Sequence, residues 1–152
     1  MKHGVTTIQS LHGVCQDIGQ SFQDEALGDL LWEICHLETK GGLVSSRTNG
    51  GDGVCGINMT RYSMMINHHK IYDSANSVFE RFGFRMRQAR FGYFAYNPTL
   101  SLIFVAAWFR CYVDTIPKSP AQRAALVNRY WSSVTEARYL KLIADSKTAL
   151  VV

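Results

Sequence analysis

The stretch Trp32-Glu33-Ile34-Cys35-His36-Leu37-Glu38-Thr39-Lys40-Gly41-Gly42 reads as the second half of an α-helix that stops at a pair of glycines. Upstream of it, Leu27, Leu30, Leu31, Ile34 and Cys35 recur at the three-and-four spacing that lines up side chains on one helix face. Glu38 falls on the same stripe, so a carboxylate stands where the pattern calls for an apolar residue. Burial and the negative end of the helix dipole both favour the protonated carboxyl, the state a general acid requires. The alternative for the same residue is a solvated helix end, the last polar position before the glycines.

Around this helix the pattern is mainly helical. Val5, Ile8, Leu11, Val14, Cys15 and Ile18 predict a first amphipathic helix from Val5 to about Gln20, and Asp24 can cap the second. Residues 41–58 hold six glycines with Ser45, Ser46, Asn49 and Asp52, a turn composition with room for short hairpin-like strands. Helical spacing resumes from Arg61 to Phe82. Residues 84–97 then interleave Arg85, Arg87 and Arg90 with Phe84, Met86, Phe91, Tyr93, Phe94 and Tyr96. That mixture suits single-stranded nucleic acid, and equally a packed helix whose arginine stems lie over a core. Asn97-Pro98 opens a strongly apolar helix through about Thr115, Ser119-Pro120 another to about Ser132, and Thr135-Glu136 a last one to about Asp145, with residues 147–152 as a tail. The expected class is all-α to α+β, mainly α: one domain over residues 1–152 with a small glycine-rich loop or β-hairpin region.

With 152 residues, 47% hydrophobic and 18% charged, the chain can bury one ordinary core. The net charge of +4 favours an anionic partner: nucleic acid, an anionic membrane surface or an acidic cell-wall polymer. The longest apolar run, Leu102 to Phe109, is far short of the roughly 20 residues of a membrane span. Met1 to Thr7 lack the basic head and apolar core of a secretory signal. Cys15, Cys35, Cys55 and Cys111 are widely spaced and read as buried thiols, although their even number permits two disulfides in an oxidising compartment. No metal or cofactor is expected: His3, His12 and His36 are isolated, and His68-His69 would diverge by about 100° on a helix.

A carboxyl group at a helix end beside a serine-bearing loop has the elements of glycosidic cleavage, which needs a proton donor and a means of stabilising the oxocarbenium-like centre. Asp52 is close enough through the glycine-rich loop to share a cleft with Glu38; the alternative is a solvated turn aspartate. Glu38-Thr39, then Leu43-Val44-Ser45-Ser46, then Gly53-Val54-Cys55-Gly56-Ile57-Asn58-Met59 resembles the lytic transglycosylase pattern of Glu-Ser, Ala-Val-Ser and Gly-Ala-Val-Gly-Leu-Met-Gln. Asn97-Pro98-Thr99-Leu100-Ser101-Leu102 with Trp108-Phe109, and Arg129-Tyr130-Trp131-Ser132-Ser133 with Thr135, are similar to later segments of that family. The likeness covers about residues 22–142, in family order.

The resemblance implies a lysozyme-like domain that cleaves the β-1,4 bond between N-acetylmuramic acid and N-acetylglucosamine in peptidoglycan. Glu38 would be the catalytic acid and then base, giving a 1,6-anhydro product. Ser46 or Ser45 would contact the substrate's N-acetyl group, Asn58 and Met59 stand at the family's Met-Gln, and Tyr130 matches a tyrosine beside the glutamate. Thr39, Asn58 or Met59, Val105 and Ser132 depart from the family's Ser, Gln, Gly and Asn, which bears on the sugar contacts more than on the acid. Goose-type lysozymes share the fold and hold a water with aspartates, so Asp52 as catalytic partner would make the enzyme an inverting muramidase. The expectation is a monomeric bacteriophage endolysin or virion-associated lysin acting on peptidoglycan without metal or nucleic acid. It would reach the periplasm and cell wall from the host cytoplasm, or travel in the virion. Two other readings compete: a basic binding protein using Arg81, Arg85, Arg87 and Arg90 on nucleic acid or a protein partner with no catalysis, and a cell-wall peptidase on the same fold.

Overall fold

The second helix, α2 (Glu25–Thr39), starts where the Asp24 side chain accepts the Leu27 N–H and ends where Lys40 turns left-handed, φ 51° and ψ 45°. Twelve of its fifteen residues are buried, so it has almost no solvent face. The structure, a computed structural model, describes residues 1–85 and 89–151. The other helices in chain order are α1 (Ile8–Ser21), α3 (Met59–Asn67), α4 (Ile71–Arg81), α5 (Pro98–Arg110), α6 (Pro120–Tyr130) and α7 (Glu136–Leu150), with a 3-10 turn at Phe91–Ala95.

The fold is mainly helical, as the spacing predicts. Among the described residues there is no strand: the glycine-rich segment forms only an isolated antiparallel bridge between Asp52 and Ile57. The expected hairpin therefore reduces to one paired position. The helix expected over 61–82 is broken at His68, whose backbone is extended (φ −73°, ψ 128°) and whose Nδ1 accepts the Lys70 N–H. Off the helix, the His68 and His69 rings stack at 4.8 Å instead of diverging. Of the expected tail, residues 147–150 form the last turn of α7, whose Leu150 packs on the core, and Val152 lies outside the described residues. α5 stops at Arg110, short of the expected Thr115.

Packing follows from two helices buried nearly all round. α5 buries ten of its thirteen residues, and its Phe104 meets Phe79 of α4 and Phe94 of the 3-10 turn edge to face at 5.1 and 5.0 Å. α1 lays Leu11, Cys15 and Ile18 into the core, and it closes on α2 at Gly19, where a Cβ would stand 2.8 Å from the Gly28 backbone nitrogen. A single cluster of buried apolar side chains runs from Val5 to Ile143. Among the described residues no helix is long and apolar enough to cross a membrane.

A buried polar cluster ties α2 to the C-terminal helices. Arg123 of α6 donates from Nε and Nη2 to the two Glu33 carboxylate oxygens, each at 2.8 Å, and the Tyr139 hydroxyl of α7 donates to Glu33 Oε1 at 2.7 Å. Burial and the neighbouring Glu33 charge push the Tyr139 phenol far above its ordinary range, so it stays a donor. Removing one partner strands a buried charge, so Arg123→Met should lower the unfolding free energy by about 3–5 kcal/mol. The Glu33→Met/Arg123→Met pair should cost less than the single change, and urea unfolding of the three proteins checks both expectations.

Candidate functional site

Glu38 lies on the last turn of α2 and is 1% exposed. Beyond Lys40 the chain doubles back, with the Val44 N–H donating to Thr39 O and the Arg47 N–H to Glu38 O at 2.9 Å. This return lays residues 45–48 against the carboxylate. Ser46 Oγ and Thr48 Oγ1 donate to Oε1 at 3.1 and 2.6 Å, while Arg61 Nη1 and Trp131 Nε1 donate to Oε2, each at 3.3 Å. Arg47 Nε stands 3.8 Å from Oε2. The buried stripe that places Glu38 is the expected one; the two guanidinium groups that meet its charge are not legible in that stripe.

Arg61 is the hub of this cluster. Its Nη1 also donates to Thr48 Oγ1 at 2.9 Å and to Gly56 O at 2.8 Å, its Nη2 donates to Trp131 O at 3.1 Å, and its guanidinium lies 4.2 Å from the Trp131 ring centre. Burial lowers its pKa, and Glu38 pulls in the opposite direction. Asn58 sets it in place: as N-cap of α3, Asn58 accepts the Arg61 N–H through Oδ1 at 2.8 Å. Thr39, standing where the resembling family has Ser, anchors the loop by donating from Oγ1 to Val54 O at 2.8 Å. Beneath it, burial and then contact with Cys15 push the Cys35 thiol up, and burial and Cys35 do the same to Cys55; all four cysteines are free.

The other residues singled out by the sequence are distributed unevenly. Ser45 is exposed and lines a cleft of about 560 Å³ that opens beside Glu38, between the end of α2, the following loop and α7. The Asp52 backbone is paired with Ile57, and its side chain makes no hydrogen bond or ion pair among the described residues. Met59 is 58% exposed on the outer side of α3. The Tyr130 ring stacks on Tyr112 at 4.2 Å, and the donor to Glu38 from that segment is its neighbour Trp131. Arg81, Arg85 and Arg90 are exposed, whereas Phe91 and Phe94 turn inward onto Tyr62. Met86 and Arg87 lie outside the described residues. Among those described, no group of three His, Cys, Asp or Glu side chains converges as metal ligands would.

Arg47, Thr48, Arg61 and Trp131 were not singled out by sequence reasoning as partners of Glu38. The available signal was electrostatic: a carboxylate on a buried stripe requires a counter-charge. Spacing cannot say which arginine supplies it. Comparison with protein-family models, with curated proteins and with solved structures finds no match to the chain.

Two measurements probe this geometry. At Gly56 (φ +63°) a Cβ would overlap Glu38 Oε1 and Ser46 Oγ. Gly56→Ala should therefore cost about 2 kcal/mol or more in urea unfolding, against about 1 for Gly50→Ala, where φ is also positive and space is open. His36 packs edge-on to Trp32 at 4.4 Å with Nε2 buried and unpartnered, and burial lowers its pKa from 6.5 to about 4, Asp145 opposing. The unfolded chain takes up this proton first, so the contribution is present above pH 6.5 and is lost as pH falls through about 4. Unfolding free energy should drop by about 2 kcal/mol through this group between about pH 7 and 4, and His36→Phe should flatten that part of the slope.

Proposed function

We propose that the chain is a peptidoglycan-cleaving enzyme with a lysozyme-like helical domain, in which Glu38 acts on the β-1,4 bond between N-acetylmuramic acid and N-acetylglucosamine. One observation carries the reading: a buried carboxylate at the end of the central helix, with two hydroxyls on one oxygen and charge on the other, belongs to a residue that borders a cleft of about 560 Å³. That volume is of the size small ligands occupy. The motif order from Glu38 to Thr135 supports the same reading.

Cleavage asks Glu38 to give a proton to the glycosidic oxygen and then to take one back. Paired with Arg61, the carboxylate is suited to the second task. The first requires the guanidinium groups to loosen as sugar displaces water and the loop. Ser46 and Thr48 hold Oε1 by single hydroxyl bonds that a sugar hydroxyl can replace, and Ser46 is then free to meet the N-acetyl group. Asp52 adds no side chain to this network, which supports removal of the muramoyl C6-hydroxyl proton by Glu38 over an Asp52-held water. A bacteriophage endolysin or virion-carried lysin is the setting such an enzyme fits.

The saturation of Glu38 by donors favours a second reading, in which the carboxylate is a structural clamp and exposed Arg81, Arg85 and Arg90 serve a binding protein without catalysis. Turbidity of purified cell walls separates the two. Wild type should clear them, Glu38→Gln should be slower by at least about 100-fold, and the released muropeptides should carry anhydro ends. Thermal melting of the variant distinguishes lost chemistry from lost fold. A folded Glu38→Gln protein that clears walls as fast as wild type, or a wild type that leaves them intact, leaves the clamp standing.

A further inference from the structure

We propose that the cleft beside Glu38 is a recognition site for the acidic peptide stem of peptidoglycan, held by Lys40, Arg138 and Lys141; the proposal rests on the reading of Glu38 as a peptidoglycan-cleaving residue. Four cations line this cleft, Lys40 and Arg47 from the end of α2 and its loop, Arg138 and Lys141 from α7. Two carboxylates oppose them, Glu38 and Asp145. Glu38 is already neutralised by Arg61 and Arg47, and Arg47 also donates to the Ser132 hydroxyl. Among the described residues, Lys40, Arg138 and Lys141 form no ion pair, and all three are exposed.

Arg138 and Lys141 are three residues apart, so they project from one face of α7, beside the buried Tyr139 and Ile143 that fix the helix on the core. Their positions are thus set by packing while their heads remain uncommitted. Asp145, four residues after Lys141 on the same helix, offsets one of these three charges and leaves an excess of positive charge on the cleft wall, for which carboxylates are natural partners. At the lip, Leu43 and Val44 are 50% and 39% exposed, offering small apolar surface next to the charges. A peptide stem combines both features: free carboxylates and alanine methyl groups. It also hangs from the muramoyl sugar, whose glycosidic bond Glu38 would attack, so a stem leaving the bond must pass within a sugar's length of this residue.

The test is a calorimetric titration of the full chain with an N-acetylated alanyl-γ-glutamyl-lysine peptide bearing two free carboxylates, and with its counterpart in which both are carboxamides. A thymidine oligomer serves as an unrelated polyanion. The charged peptide should bind at least about 10-fold more tightly than the amide, and Arg138→Ala/Lys141→Ala should remove about 10-fold of that affinity with its melting temperature unchanged. Absence of binding, equal binding of the two peptides, an unaffected double variant, or tighter binding of the oligomer each overturns the proposal. Wall clearing is scored separately. Clearing without peptide binding sinks the stem site alone, whereas peptide binding without clearing sinks the glycosidase reading and leaves a carboxylate-binding cleft.

Discussion

A carboxylate taken out of water has to be met by charge and by hydrogen bonds, and the way Glu38 is met sets the course of three chain segments. The loop after α2 must bring Ser46 and Thr48 to one oxygen, α3 must start where Arg61 reaches the other, and the chain leaving α6 must present the Trp131 indole. A buried pair of this kind adds little net stability over an apolar replacement, but its half-formed alternatives are costly. It therefore acts by excluding other arrangements. Gly56 is part of that exclusion, since any side chain there would occupy the space of the carboxylate's ligands.

α2 carries two such carboxylates. Glu33 and Glu38 are five residues apart, which turns them about 140° from each other around the helix axis. Each consequently recruits different elements: Glu33 takes Arg123 of α6 and Tyr139 of α7, Glu38 takes the loop, α3 and Trp131. α6 is thus held at both ends, by Arg123 near its start and by the residue just past its last turn. A helix with buried carboxylates on two faces and apolar residues between them keeps only a narrow polar stripe, Glu25, Asp29 and His36, for solvent, which is why α2 stands at the centre.

The proposed chemistry asks this network to serve two ends. The hydrogen bonds that make Glu38 tolerable in the interior also occupy it, and a sugar must exchange for some of them before a proton can move. The hydroxyl bonds from Ser46 and Thr48 are the readiest to exchange, being neutral and carried on a loop with exposed neighbours Ser45 and Arg47. The cation-lined cleft lies on the same side, so substrate arriving there approaches the loop from its open face.

Helix starts were legible in the sequence because a cap is a local bargain between neighbours: Asp24, Asn97 before Pro98, Ser119 before Pro120 and Thr135 all accept the backbone N–H three residues on. For Glu38 the apolar stripe allowed burial and equally a solvated helix end, and the fold decides for burial. The break at His68 was not legible, because neither glycine nor proline marks it, and neither was the continuation of α7, whose polar last turns are held by packing of Leu150. Asn58 read as a substrate contact; in the fold its carbonyl caps α3 and thereby aims Arg61. What the sequence by itself determined is therefore the mainly helical class, the caps of four helices and the place of Glu38 on an apolar stripe. Only the tertiary structure decided its partners, since Arg61 is 23 residues and Trp131 93 residues away, and the counter-charge of Glu33 lies 90 residues along the chain. Electrostatic demand is a property of one residue, but its satisfaction depends on which distant side chains the packing of helices brings within three ångströms or so.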